Sequence, residues 1–430
     1  MRQHNRFRDL GAVLGFALAS ALGGCGNASI NANSNPMSPG PPSSPASTAP
    51  PAVMQAQQAN MPVDPAIVTA DNTFGLNLFQ NLNSAATGNV AIAPISIAMA
   101  LQIVYNGAGG ATQQGMAQTL ALGSLSTQDL NSANAALQGS LLNPDPLVQL
   151  TIANSLWMHL DTNKVPAAFT QMDQTYYGAT VGDLAGAPAN VNSWVSNETD
   201  GLITSILPNA NYASVVAVIA NVIYFKGQWS TEFDPNLTAT APFTLMDGTQ
   251  VSVPMMHQSA TYGYLQGANF QAVRIPYGAG RFSMLVAMPD AGTSLNSFVA
   301  SLTPAMLSGW VGQLQTGMGN LSLPKFTATY GASLVQPLTT LGMQAAFCAD
   351  PQASFPGLGL VCIQDVEHKT VVEVDESGTV AAGATTVTLT PTAVPVPLFT
   401  LTLDHPFLYA IRDDETGELL FIGTMTNPSS

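Results

Sequence analysis

Charge is what this chain has least of. Of its 430 residues only 8% are Asp, Glu, Lys or Arg, 10 basic against 25 acidic. Phosphate-backbone binding needs clustered Lys and Arg, so the composition argues against nucleic acid as a partner. It also argues against a surface built from ion-pair networks. Catalytic signatures are equally scarce: there is no nucleophile elbow, no paired His on a helix face, and no phosphate-cradling Gly-rich loop after a strand. The five His are scattered, none at metal-ligand spacing with another His or Cys. Nothing in the sequence supports an enzyme, a bound metal or a cofactor.

What charge there is begins unevenly. Arg2, Arg6 and Arg8 precede the apolar run Leu10 to Leu22, which ends in "LGGC" at Cys25. This is the layout of an export signal, too short for a comfortable membrane span. "LGGC" resembles the bacterial lipobox, whose Cys becomes the lipidated first residue; a plain signal peptide or short anchor helix is the alternative. The resemblance implies residues 1–24 removed, Cys25 as membrane anchor, and, with Gly26 following it, an outer-membrane or cell-surface location, the periplasmic face included. The remaining chain would carry 7 basic and 24 acidic residues, a net charge of −17. An acidic surface without a basic patch argues against activation by polyanions. Cys348 and Cys362 are then an even pair in an oxidising compartment, either bonded or two buried thiols.

Residues 25–65 are rich in Pro, Ser and Asn, cannot bury a core, and read as a disordered tether. From residue 66 to 430 the texture is that of one α+β domain. Phe74, Leu78 and Leu82 fall at helical spacing. "SVVAVIANVIYFKGQW" predicts a strand buried on both faces, and "RFSMLVAMP", "LSLPKF", "HKTVVEVDESG" and "GELLFIGTM" predict further strands. "NGAGGAT" predicts a helix-to-helix turn, and "DDETGE" a solvated hairpin turn rather than a calcium loop. Asn221 and His368 interrupt apolar runs. Buried without partners each would cost about 1–3 kcal/mol, so both should be hydrogen-bonded, as satisfied core residues or as fasteners between adjacent strands.

Several stretches taken in order resemble the serpin family across essentially the whole chain after the tether. They are "NVAIAPISIAMAL", "YYGAT", "VNSWVSNETDGLITSIL", "NVIYFKGQWSTEF", "VPMMHQ", "LPKF", "LGMQAAF", "HKTVVEVDESGT" and "DHPFLYAIRDDETGELLFIGTMTNP". The resemblance implies a serpin fold: three β-sheets, about nine helices and an exposed, insertable reactive-centre loop. It implies a serine protease as partner, held as a covalent acyl complex after loop cleavage and insertion into the main sheet. It also implies a monomer with a risk of loop–sheet polymerisation. A serpin-fold binding or chaperone-like module that no longer inhibits is the second reading.

The resemblance assigns roles residue by residue. Glu376, Gly378, Thr379, Ala381, Ala382, Gly383 and Ala384 match the loop hinge, and family spacing from Glu376 places the reactive bond at Thr392–Ala393, within the range Leu389 to Val394. Lys325, Trp229 and Glu376 match the ion pair and aromatic where the loop enters the sheet. Ser96, Asn221 and His368 match the polar cluster at the middle of the sheet, although Ala93 stands where a Ser is expected and leaves that network one hydroxyl short. The loop's own composition agrees with insertion. Thr379, Ala381, Gly383 and Thr385 share one strand face, all small and uncharged, and no Pro lies between Gly378 and Thr390. No charge lies from Ser377 to Leu403, so trypsin-like and acid-selective proteases lack an anchor and elastase-like or subtilisin-like ones are favoured.

Overall fold

Residues 61–142, 145–160, 164–379 and 396–430 are described by a computed structural model. The expected leader, Cys25 and the expected tether up to residue 60 lie outside them, while Pro65, the last residue assigned to the tether, already belongs to the first helix. The first helix, α1 (Pro65–Ala85), starts where Asp64 accepts a hydrogen bond from the Ala66 amide and Pro65 fills the first turn. Its stripe of Phe74, Leu78 and Leu82 is buried as the spacing predicts. After β1 (Val90–Ile92) comes α2 (Pro94–Tyr105), apolar except for Ser96 and Gln102 and buried at every position. It packs against strands of both sheets, which is why no face of it meets solvent.

The chain continues through α3 (Gly110–Thr119), α4 (Thr127–Leu141), β2 (Val148–Met158), α5 (Ala167–Tyr176), β3 (Thr180–Asp183) and α6 (Ala189–Glu198) to β4 (Ala217–Gln228). Strands then dominate: β5 (Ala239–Thr244), β6 (Gln250–Gln266), β7 (Phe270–Pro276) and β8 (Phe282–Pro289). The short helices α7 (Leu295–Ala300) and α8 (Pro304–Gln313) precede β9 (Gln315–Pro324), β10 (Phe326–Ser333) and α9 (Val335–Leu338). The last strands are β11 (Asp365–Val374), β12 (Gly378–Thr379), β13 (Phe399–Thr402), β14 (Phe407–Asp413) and β15 (Leu419–Met425). Among the described residues this makes nine α-helices.

The strands form two hydrogen-bonded networks. One is six-stranded, ordered β10-β11-β12-β4-β2-β3. The other is nine-stranded, ordered β1-β15-β14-β8-β7-β6-β9-β13 with β5 also on β6. The 17-residue β6 pairs first with β5 and β9 and then with β7, so two of the three expected sheets are joined through one long strand. Strand β4 is buried on both faces, as its apolar run predicts. Ile219, Ile223 and Phe225 enter the main core, while Val218, Ala220 and Val222 meet α6 residues Val191 and Val195.

Two expected turns do more than reverse the chain. "NGAGGAT" links α2 to α3, and it also seats the segment closed by the Cys348–Cys362 disulfide. The Gly109 amide donates to Ser354, the Gly357 amide to Gly107, and a Cβ on Gly107 would stand 2.5 Å from Leu358. "DDETGE" does join β14 to β15, but it is not a solvated turn. Asp413 and Glu418 are fully buried, and Arg281 pairs with Asp413 at 2.8 Å while Arg274 pairs with Asp414 at 2.6 Å. The correction has a simple cause: arginines distant in sequence converge there and neutralise charge that the local pattern leaves bare.

Glu418 takes no share in those pairs. Among the described residues neither of its carboxyl oxygens has a hydrogen-bond partner, nor does the second oxygen of Asp71, whose first accepts from Gln102 at 2.6 Å. Burial pushes Asp71 up to about 8, and burial together with the Asp71 and Asp413 charges holds Glu418 well above the usual carboxylate range. Both acids therefore keep protons in the native state that the unfolded chain gives up near pH 4. The contribution of Asp71 is complete below that pH and is lost as pH rises towards 8, and that of Glu418 is likewise lost with rising pH. Asp71→Asn should raise the melting temperature at pH 8 and flatten its decline from pH 5; an unaltered slope in thermal melts would contradict this assignment.

Candidate functional site

The six-stranded sheet has a seam between β4 and β11 that is closed at one end and parted at the other. At the closed end they pair directly and in parallel, Val218 to Val222 against Asp365 to Lys369. At the far end the two residues of β12 lie between them, Gly378 opposite Gln228 and Thr379 opposite both Gly227 and Val374. In between, among the described residues, Ile223–Lys226 and Thr370–Glu373 have no strand partner on the edges that face each other. The β4-to-β11 offset across β12 equals that of the closed end. The two strands are therefore parted sideways without slipping along their length.

Strand β12 is held by a tight turn. The Asp375 carboxylate accepts from the Ser377 and Gly378 amides, and the Asp375 amide donates to the Gly378 carbonyl. Gly378 sits at φ 155°, and a Cβ there would meet the Gly227 carbonyl oxygen at 2.0 Å, so no other residue fits. The Thr379 side chain is 1% exposed and shares a 2.7 Å hydrogen bond with the Tyr277 hydroxyl.

Glu376 tops the turn. Burial opposes its charge, but the Lys325 ammonium at 2.6 Å and the Thr238 hydroxyl at 2.7 Å overcome this and hold the carboxyl below the usual range. Trp229 donates its indole N–H to the Asp375 carbonyl and its amide to the Ser377 carbonyl, and stacks on Tyr277 at 4.4 Å. The three residues assigned to this corner are thus brought together. Tyr277 and Thr238, which complete it, carry no signal in the sequence: Tyr277 lies 102 residues from Thr379, at the end of an ordinary strand.

The closed end has its own polar fastening. Asn221 and His368 face each other across the seam, with His368 Nδ1 3.1 Å from Asn221 Oδ1. Asn221 donates to the Ser96 carbonyl and to Asn154 Oδ1, and Ser96 donates to the Val222 carbonyl. His368 Nε2 accepts from the Ala93 amide at 3.2 Å, so the ring carries its proton on Nδ1 and donates it to Asn221. Ala93 contributes to the cluster through its backbone amide alone, which occupies the imidazole acceptor, and Thr370 donates to the Ala91 carbonyl beside it.

Ala381, Ala382, Gly383, Ala384, Thr392 and Ala393 lie outside the described residues, as does the whole stretch from Val380 to Pro395.

A family model described as "Serpin (serine protease inhibitor)" matches residues 69–428. The chain belongs to the serpin family. Serpin-Z2A of Triticum aestivum is 31% identical over 83% of this chain and 94% of its own length. The leukocyte elastase inhibitor of Homo sapiens is 30% identical over 84% of this chain and 99% of its own. Among solved structures, the thermophilic serpin tengpin in its native state superposes with a TM-score of 0.79 at 30% identity, covering 85% of this chain and 95% of that one.

In this serpin, burial lowers the His368 pKa to about 3, so the ring is neutral in the native state. The unfolded chain takes up a proton near pH 6.5, and native stability is lost as pH falls below that value. Each pH unit in this range removes about 1.4 kcal/mol, so wild type should lose roughly 2 kcal/mol more than His368→Gln between pH 7 and pH 5. Denaturant unfolding at the two pH values measures the difference, and equal losses in both proteins would refute the buried neutral imidazole.

Proposed function

We propose that this serpin is a suicide inhibitor of serine proteases whose loop beyond Thr379 enters the seam as a central strand. The observation that carries the reading is the parted seam itself, with matched, unpartnered edges and the hinge already seated between them. Extending the register of β12 sets Val380 between Lys226 and Glu373, and sets Thr385 between Asn221 and His368. The sequence from Gly378 to Thr390 contains no charge and no proline to obstruct such a strand.

The chemistry is that of an interrupted proteolysis. The protease serine attacks the Thr392 carbonyl, the amine of Ala393 departs, and an acyl-enzyme remains. Insertion then pulls the protease active site out of register before water deacylates it, because oxyanion donors work only within about 3 Å of the developing charge. Thr392 and Ala393, small and uncharged, direct the loop to elastase-like or subtilisin-like enzymes, as the name of the human relative suggests for that protein. Lipidation of Cys25 would anchor the inhibitor at the outer membrane or cell surface, with the chain between Cys25 and the first helix as tether.

Mixing the protein with a pancreatic-type elastase should give a complex that survives denaturing electrophoresis, together with a cleavage product beginning at Ala393. Thr379→Arg should abolish the complex while leaving cleavage intact, since a guanidinium would have to replace the buried contact with Tyr277. Inhibition retained by this variant would defeat the insertion mechanism. Clean cleavage of wild type with the protease left active would instead favour the non-inhibitory reading.

A further inference from the structure

The turn between β7 and β8, Tyr277-Gly278-Ala279-Gly280-Arg281, reaches the mouth of the seam from outside the six-stranded sheet. At its start the Tyr277 hydroxyl meets Thr379 at 2.7 Å and the Tyr277 ring stacks on Trp229. The other groups at this corner, Asp375, Trp229 and the Lys325–Glu376 pair, hold β12 by the chain that precedes Thr379. Among the described residues, the Thr379 hydroxyl is bonded by Tyr277 alone.

The turn cannot anchor itself. From Gly278 to Gly280 no side chain exceeds a methyl group, and both glycines have positive φ, 49° and 97°. Its backbone is therefore held by neighbours. On one side is the end of β4, where the Gly278 amide donates to the Gln228 carbonyl and the Ser230 hydroxyl donates to the Gly278 carbonyl. On the other is Asp145, in the segment between α4 and β2, whose Oδ2 accepts from the Ala279 amide at 2.5 Å. Its Oδ1 accepts from the Leu147 amide at 2.9 Å, and the Leu147 carbonyl in turn accepts from the Gln228 amide. The fit is close: a Cβ on Gly278 would stand 2.2 Å from Asp145 Oδ2.

Asp145 is 3% exposed, and among the described residues no cation pairs with it. A carboxylate is a costly group to bury, and what it supplies is a charge-assisted hydrogen bond about twice as strong as a neutral one. We propose that Asp145 is a positioning residue for loop entry. Its grip on the Ala279 amide fixes the turn, the turn fixes Tyr277, and Tyr277 keeps Thr379 seated in the mouth of the seam. The role in entry rests on the inhibitory function proposed above; the seating of Thr379 does not. With the first rung already formed, insertion starts as soon as the loop is cut. Without it, that rung must form after the acyl-enzyme does, in competition with deacylation, and more inhibitor is lost as cleaved product.

Asp145→Asn keeps the shape but turns an NH2 group toward one of the two amides that the carboxylate serves. In the intact protein, hydrogen exchange of the Trp229 and Asp375 amides, which donate to Ser377 and Gly378, should become about tenfold faster. Amides of β14 and β15 should keep their wild-type rates. With a pancreatic-type elastase, the number of inhibitor molecules consumed per enzyme inhibited should rise about threefold, while the total rate of loop consumption stays unchanged. Asp145→Ser keeps the local turn but gives up the reach to Ala279, and should do the same, so a folding defect in one variant leaves the test standing. Tyr277→Phe removes only the hydroxyl on Thr379, and combining it with Asp145→Asn should add nothing, because both act through one bond. Unchanged exchange in the Asp145 variants would overturn the proposal, as would a rise matched in β14 and β15, which reports global unfolding. Effects that multiply in the double variant, or a wild-type stoichiometry in Asp145→Asn, would also overturn it. If wild type is cleaved without forming a complex, the inhibitory function falls and the role in entry with it, whereas faster exchange at the mouth would still establish Asp145 as the residue that seats Thr379.

Discussion

Backbone amides and carbonyls along a strand edge must be paired or solvated, and this structure leaves two such edges facing each other inside its six-stranded sheet. Much else in the molecule serves to keep them in that state. Gly378 and Thr379 wedge one end apart, Asn221 and His368 clasp the other, and the Lys325–Glu376 pair with Trp229 and Tyr277 fixes the chain at the point where it leaves the sheet. The helix α2, buried on every side, is the floor on which the clasp rests, through Ser96 and the Ala93 amide.

The two ends of the seam are held by different physics. At the wedge end the groups are a half-exposed ion pair, an indole–carbonyl hydrogen bond and a ring stack, each worth little alone and mutually aligned. At the clasp end the groups are neutral, dry and fully satisfied, so each can be broken only at the cost of an unpaired polar atom. Acid attacks the second by charging His368, and base attacks the buried carboxyls, Asp71 and Glu418 among them. The stability of the fold against pH is bounded on both sides by groups that burial has moved away from their ordinary values.

The sequence made the strands and the first helix legible because their signals are local. Phe74, Leu78 and Leu82 repeat at helical spacing, and the apolar run from Ala217 to Phe225 is long enough to require burial on both faces. Asn221 and His368 stood out as polar breaks in apolar strands, although only the structure shows that they face each other. Long-range convergence was not legible. Nothing near "DDETGE" announces that Arg274 and Arg281 will meet it, and nothing in "IPYGAG" marks Tyr277 as the partner of Thr379. That Ala93 lacks a hydroxyl was legible, but not that its backbone amide, which a Ser there would also supply, donates to His368.

The constant offset between β4 and β11 bears on speed rather than stability. Two strands that had to slide as well as separate would break every ladder bond at once and search for a new alignment. Here each residue pair, once parted, is already aligned for whatever comes between. On the insertion proposed above, a strand entering from Thr379 would meet four unpaired positions and then part the five paired ones one at a time, as a zip opens. No step requires more than local loss of pairing, so the barrier does not grow with the length still to be traversed.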